Sequence, residues 1–305
     1  MDFEDIAALG RKQRVFRARF KLDQPGFISH ITQRAAGKEL LFVEDDDYLT
    51  MLGLLKESCH KFSLSYYAFC LMPNHLHMLI EPKEKNLAEA MRSIFSRYAA
   101  KFNRKYQRKG HLFGGPYRQA VCLDSAYLLT ASVYIHLNPV RAGLTQTANS
   151  YRWTSSLLFC HAQDQTSFID PHPILKLLDD DTSAACASYS RILQKGQGSE
   201  PENALEQEGA IEMFCKVLSG LFPSLFRKVA EKKSTSMEPA EDILELTSLQ
   251  TLLHEVQTGP AKAPHSKEAR RYLVQQLLAR GFKKAQIADQ LGISRGTVYN
   301  ILKES

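Results

Sequence analysis

The sequence predicts an α+β protein: a ferredoxin-like antiparallel sheet with helices on one face, then a helical region, then a C-terminal helix-turn-helix. Three observations carry this prediction. Strand-like alternation and helical periodicity succeed one another in the order β-α-β-β-α-β-α between Gly26 and about Asn138. The pair Pro73-Asn74 stands between two apolar runs, the chemistry of a tight hairpin turn. Near the C-terminus two helical patterns flank Gly292-Ile293-Ser294, a short glycine turn of the helix-turn-helix kind.

In order along the chain, "GFISHITQRA" (Gly26 to Ala35) is β-like, and "DDDYLTMLGLLKESCHKF" (Asp45 to Phe62) is an amphipathic helix whose acidic first turn suits the helix dipole. "LSYYAFCLM" (Leu64 to Met72) and "HLHMLIEP" (His75 to Pro82) form the hairpin strands. A long basic helix runs from Leu87 to about Arg108, with Ile94, Tyr98 and Phe102 at four-residue spacing. The loop "KGHLFGGPYR" leads to the short strand "AVCL", and Asp124 or Ser125 caps a helix that ends near Asn138-Pro139.

Composition marks three regions: 1–160, a catalytic-type α+β domain; 161–264, an acidic helical linker region; 265–305, the helix-turn-helix. Their Lys+Arg against Asp+Glu counts are 22 to 14, 9 to 16 and 8 to 3. Two basic blocks flanking an acidic one suit contact with a polyanion at two places, although basic faces are often merely solvated. In the middle region "HPILKLLDD", "GAIEMFCKVLSGLF" and "EDILELTSLQTLLHEV" read as helices separated by the linkers "KGQGSEPEN" and "EKKSTSMEPAE". In the last region Ala288, Leu291, Ile293, Val298 and Ile301 fall where a helix-turn-helix needs small or apolar packing residues; the alternative is an ordinary helical hairpin.

No apolar run reaches the ~18 residues of a membrane span, and "MDFEDIAALG" is acidic where a signal peptide is basic, so a cytoplasmic protein without membrane contact is expected. The six cysteines form no C-x-x-C pair, which argues against a disulfide framework and a cysteine-built zinc site.

The chemistry centres on "LMPNHLHMLIEP". Alternation puts His75 and His77 on one face of a strand, where two imidazoles can share a metal ion or play a structural, solvent-facing part. In "SVYIHLNPVRAGL", Tyr134 and Asn138 are four residues apart and so share a helix face, and Pro139 places Asn138 at the helix end. A phenol and a carboxamide there could face the histidines. They could equally be a packed tyrosine and a C-capping asparagine.

The segments "MPNHLHMLIEP", "KGHLFGGPYR", "YIHLNPVRAGL" and "YRWTSS", in that order, resemble the REP-associated tyrosine transposases of the HUH single-tyrosine superfamily (IS200-like transposases). Pro116 departs from the basic residue expected before the loop tyrosine, which puts a DNA contact in that loop in doubt. The resemblance implies Tyr134 as nucleophile and His75, His77 and Asn138 as ligands of a divalent metal. Imidazole and amide-oxygen ligands with open positions suit Mg²⁺ or Mn²⁺. It implies cleavage of single-stranded, hairpin-bearing DNA, the repetitive extragenic palindromes, through a 5′-phosphotyrosine, by a monomer or homodimer.

DNA contacts are expected from the long basic helix (Arg97, Lys101, Arg104, Lys105, Arg108), whose interleaved aromatics could stack bases; the bland reading makes the aromatics core and the charges solvated. Tyr98 and Phe102 are expected to point inward and the basic residues outward. Arg118 and Arg141, within the quoted motifs, are further candidates. In the last helix Arg295, Thr297, Tyr299, Asn300 and Lys303 are placed to read duplex DNA. Two rivals stand beside the transposase: a non-catalytic DNA-binding regulator on a transposase-like scaffold, and a metal-dependent hydrolase, which would not need the tyrosine.

Overall fold

A computed structural model describes residues 15–16, 21, 25–37, 39–122, 124–161, 167–197, 210–232, 270–271, 273–274, 277 and 283–303. The helix expected at 241–256, most of the stretches 195–203 and 231–241, the acidic N-terminus and the 264/265 boundary lie outside the described residues.

Five strands, β1 (Val15–Phe16), β2 (Ser29–Arg34), β3 (Leu64–Met72), β4 (His75–Pro82) and β5 (Arg118–Val121), form one antiparallel sheet in the order β1-β5-β2-β4-β3. Without the two-residue β1, which the sequence reading lacked, this is the ferredoxin-like order. The β3–β4 turn at Pro73-Asn74 sets the register Met72↔His75, Leu71↔Leu76 and Cys70↔His77. Helix α1 (Asp45–Lys61) and helix α2 (Leu87–Lys105) are the crossovers, and both cover the same sheet face. Alternation supplies that face: Ile31 from β2 and Leu76, Met78 and Ile80 from β4 join Met51, Leu55, Ile94, Tyr98 and Phe102 in one core. Tyr98 and Phe102 are inward, as expected.

Helix α3 (Ser125–Arg141) lies on the opposite face, so helices on one face describes the crossovers but not the whole sheet. The reason is in its composition. "SAYLLTASVYIHLNPVR" is apolar almost all round, and every residue from Tyr127 to Pro139 is buried, the pattern of a helix covered on all sides. The sheet covers one side. The other is covered by α4 (Ser156–Cys160), α5 (His172–Leu178), α6 (Thr182–Gly196), α7 (Ala210–Leu221) and α8 (Pro223–Glu231).

The middle region is therefore helical, as expected, but through residue 232 it is not a linker. Phe159, Tyr189, Ile192, Phe214, Leu218 and Val229 belong to the same apolar cluster as Ile28, Leu79 and Leu128. Its helices bury their apolar faces chiefly against α3 and one another.

The stretch "YRWTSS" guards the sheet's edge. Leu71 N–H donates to Trp153 O at 2.9 Å, Thr154 bridges Cys70, and Trp153 stacks on Tyr48 at 4.4 Å. An otherwise open edge strand is thereby covered.

At the C-terminus, α9 (Lys284–Leu291) and α10 (Arg295–Lys303) flank Gly292, whose φ of 60° is the left-handed cap conformation that glycine adopts without a Cβ penalty. Ser294 Oγ accepts the Thr297 N–H at 3.0 Å, capping α10. Ile287, Ala288, Leu291, Val298 and Ile301 are buried, together with Leu273, Val274 and Leu277 upstream. Among the described residues no helix is long and apolar enough to cross a membrane.

Candidate active site

Directly opposed residues of neighbouring strands share a face. The register Thr32↔His77 and Arg34↔His75 therefore puts His30, Thr32 and Arg34 on the same side as His75 and His77, facing α3. His77 is 5% exposed and its Nδ1 is 2.9 Å from Nε2 of His30, the rings stacked with centroids 5.1 Å apart. Thr32 Oγ1 lies 3.2 Å from the same Nδ1. His75 meets His77 edge-on at 4.9 Å, and its Nδ1 is 2.7 Å from Asn74 Oδ1.

Helix α3 brings Tyr134 to these rings. Asp124 caps the helix, accepting the Tyr127 N–H at 2.8 Å, and the Tyr134 ring stands edge-on to His77 at 6.0 Å and to His30 at 6.3 Å. Asn138, one turn on, is 3% exposed, and its Nδ2 has no hydrogen-bond partner. The expected helix end at Asn138-Pro139 is corrected here. The helix runs to Arg141, with Ala142 N–H donating to Asn138 O at 2.9 Å and Leu144 N–H to Pro139 O at 2.9 Å. A proline this close to the C-terminus removes one N–H while the flanking bonds still close the last turn.

Burial disfavours the charged forms of His30 and His77. It pushes His30 down to about 4, and it lowers His77 well below its usual range, since a charged His77 would also be repelled by positive charge on its neighbours His75, His30 and Arg34. A neutral imidazole has a lone pair to offer a metal. Imidazole nitrogens and an amide oxygen are donors of the kind that suit Mg²⁺ or Mn²⁺, and the structure sets His75 and His77 on one face with Asn138 a turn beyond Tyr134. Among the described residues a carboxylate cluster, Glu44, Asp46 and Asp47, surrounds Lys105, whose Nζ is 3.0 Å from Asp46 and 2.8 Å from Asp47.

Residues 27–138 match the family model described as "Transposase IS200 like". Over this segment the chain is similar to the IS200-like transposases. Residues 265–305 match a model described as "Homeodomain-like domain". No curated protein matches the chain. A solved structure described as a REP-associated tyrosine transposase bound to a REP hairpin is 12% identical, with a TM-score of 0.39, over 46% of this chain and 81% of that one.

The α+β domain places the expected DNA-contacting residues in two settings. Arg118 pairs with Thr32 and so lies on the histidine face. Arg141 puts its guanidinium 5.3 Å from the Tyr134 ring centroid and 4.1 Å from that of Phe214, on α7. The basic residues of α2 are on the other side of the sheet from the histidines. There Arg97 makes a bidentate pair with Glu57 at 2.6 and 2.8 Å, Arg108 pairs with Glu39, and Lys101 and Arg104 are exposed. In the homeodomain-like module Arg295, Tyr299 and Asn300 are exposed on α10, Thr297 Oγ1 bonds Ser294 Oγ at 2.8 Å, and Lys303 ends the helix. Lys284 lies over the Tyr299 ring at 3.9 Å.

Sequence reasoning missed His30, Thr32, Asn74 and Phe214 as neighbours of the candidate site. It also missed His136, whose Nδ1 is 2.7 Å from Tyr189 Oη and whose Nε2 is 2.8 Å from Ser155 Oγ, fixing the rotation of α3 two residues from Tyr134. Alternation alone could have paired His30 with Thr32. Nothing local says that β2 lies beside β4.

Burial pushes His136 down to about 3. The unfolded chain takes up a proton near its ordinary pKa of ~6.5 that the folded chain refuses, so stability is full above that pH and is lost as pH falls toward 3. The unfolding free energy from urea denaturation is expected to drop between pH 6.5 and 4.5, by about 1.4 kcal/mol per pH unit for each such histidine. His136→Gln should flatten that slope by about one group; an unchanged slope would show that His136 takes up its proton in the folded protein.

Proposed function

We propose that this chain is a metal-dependent transposase that nicks and rejoins single-stranded, hairpin-bearing DNA through a 5′-phosphotyrosine on Tyr134. The supporting observation is the convergence of Tyr134, from α3, on His77 and His30, from two strands, on one sheet face within one chain. A binding scaffold has no need of that convergence. In the step proposed, Tyr134 Oη attacks the scissile phosphorus, the Oη–P bond forms, the P–O3′ bond breaks, and the 3′ oxygen leaves as a hydroxyl. The bond energy is kept in the phosphotyrosine, so a second 3′-OH can reverse the step and join strands.

His75, His77 and Asn138 would hold a Mg²⁺ or Mn²⁺ ion, which when bound neutralises charge on the phosphate oxygens and the leaving 3′ oxygen. Arg141 contributes a fixed positive charge over the ring that must become anionic, and Phe214 keeps it there. Arg118 adds a cation on the same face for the DNA backbone. The homeodomain-like module, through Arg295, Tyr299 and Asn300, would bind duplex DNA beside the hairpin.

One observation favours the second reading, a DNA-binding regulator: Tyr134 is 2% exposed, so DNA must displace part of its cover to reach the phenol. The deciding experiment incubates the full chain with palindromic hairpin single-stranded DNA and Mn²⁺ or Mg²⁺, then resolves the products under denaturing conditions. A covalent protein–DNA adduct with a free 3′-OH on the released strand is the expected result. Binding without cleavage would establish the regulator, and cleavage without an adduct the hydrolase.

A further inference from the structure

We infer that His30 is a positioning residue: its Nε2 accepts the Nδ1–H of His77 and so holds His77 in the tautomer whose Nε2 keeps its lone pair. This rests on the reading of His75, His77 and Asn138 as a metal site, and it assigns a role to a third histidine that the H-x-H motif does not contain. The two rings are buried and stacked, their nitrogens 2.9 Å apart, so one must donate and the other accept.

The two possibilities have different consequences. If His30 donates from Nε2, His77 must carry its own proton on Nε2, and no lone pair is left for an ion. If His77 donates from Nδ1, its Nε2 is free to act as a ligand and His30 carries its proton on Nδ1. Thr32 Oγ1, 3.2 Å from His77 Nδ1 and 3.5 Å from His30 Nε2, is a second acceptor for the same N–H.

The other histidine of the motif is held in the same way. Asn74 Oδ1 can only accept, so at 2.7 Å it requires the proton of His75 on Nδ1 and leaves Nε2 with its lone pair. Both histidines thus have Nδ1 engaged by a neighbour, the arrangement in which outer hydrogen bonds orient metal-binding imidazoles. His30 is not itself the third ligand on this account, because the nitrogen nearest the site is already used as an acceptor. Among the described residues, His30, His75 and His77 do not bring one nitrogen each within 4.8 Å of one another.

The test measures Mn²⁺ affinity of the full chain by electron paramagnetic resonance, with thermal melts to confirm folding. His30→Phe keeps the ring and removes the acceptor, and its affinity is expected to fall about 10–100-fold. His30→Gln sets an amide oxygen near the place of Nε2 and is expected to stay within about threefold of the parent, an order reversed from what packing alone would give. Equal affinity in the parent, His30→Phe and His30→Gln overturns the inference, and so does a His30→Gln loss as large as that of His77→Ala, which would make His30 a ligand. A parent that binds no Mn²⁺, or a His77→Ala variant that binds like the parent, overturns the metal-site reading beneath it. Should His30→Phe not fold, ¹⁵N NMR of the parent decides: His77 protonated on Nδ1 is expected, and protonation on Nε2 refutes the assignment.

Discussion

Replacing Tyr134 with phenylalanine is expected to abolish the covalent DNA adduct, lowering strand cleavage by on the order of 10⁴-fold or more, as removal of a nucleophile does elsewhere. The substitution is a narrow one. Phenylalanine keeps the ring that meets His77 at 6.0 Å and His30 at 6.3 Å and that lies under Arg141 at 5.3 Å, and it removes the oxygen alone. Hairpin affinity and Mn²⁺ affinity should therefore stay within about twofold, because neither uses that oxygen as its main contact. Quantifying adduct, cleavage and binding on the same preparations separates these effects. Cleavage that persists in Tyr134→Phe would mean that water, not the phenol, attacks the phosphate.

Phe214→Ala is expected to cost about 3–5 kcal/mol of stability, the range for truncating a fully buried phenylalanine. Phe214 is 0% exposed, meets the Tyr134 ring at 6.4 Å and stacks under Arg141 at 4.1 Å. The loss should appear in the unfolding of the α+β domain itself, because α7 shares its core. Urea denaturation followed at Trp153, in the stretch that guards the sheet edge, reports on that domain. Were the middle helices an independent appendage, the Trp153 transition would not move. Phe214→Leu separates packing from stacking: it keeps most of the volume and costs about 1.5 kcal/mol or less, yet removes the aromatic face that holds Arg141. Its adduct formation should fall more than its stability.

Local patterns were legible because their physics is local. Alternation in "HLHMLIEP" placed Leu76, Met78 and Ile80 in the core and His75 and His77 on the other face, and Pro73-Asn74 marked the hairpin between β3 and β4. The glycine turn at Gly292 and the apolar spacing around it marked the helix-turn-helix. Charge was less legible. Counting Lys and Arg on α2 sees formal charge but not partners, and Glu57 and Asp47 of α1 already pair with Arg97 and Lys105.

By itself, then, the sequence marked β2 to β5, the helices α1 to α3, α5, α7, α9 and α10, and the faces of the H-x-H strand, since each follows from a repeat of 2 or 3.6 residues along the chain, while β1, α4, α6 and α8 were missed. Only the tertiary structure decided which faces meet. Sheet order brought His30 beside His77, forty-seven residues away. The burial of α3 turned an acidic helical stretch into a wall of the site, with Phe214 and Arg141 over Tyr134. An apolar helix face records that it must be covered; which segment covers it is settled only when all such faces compete for one another in the folded chain.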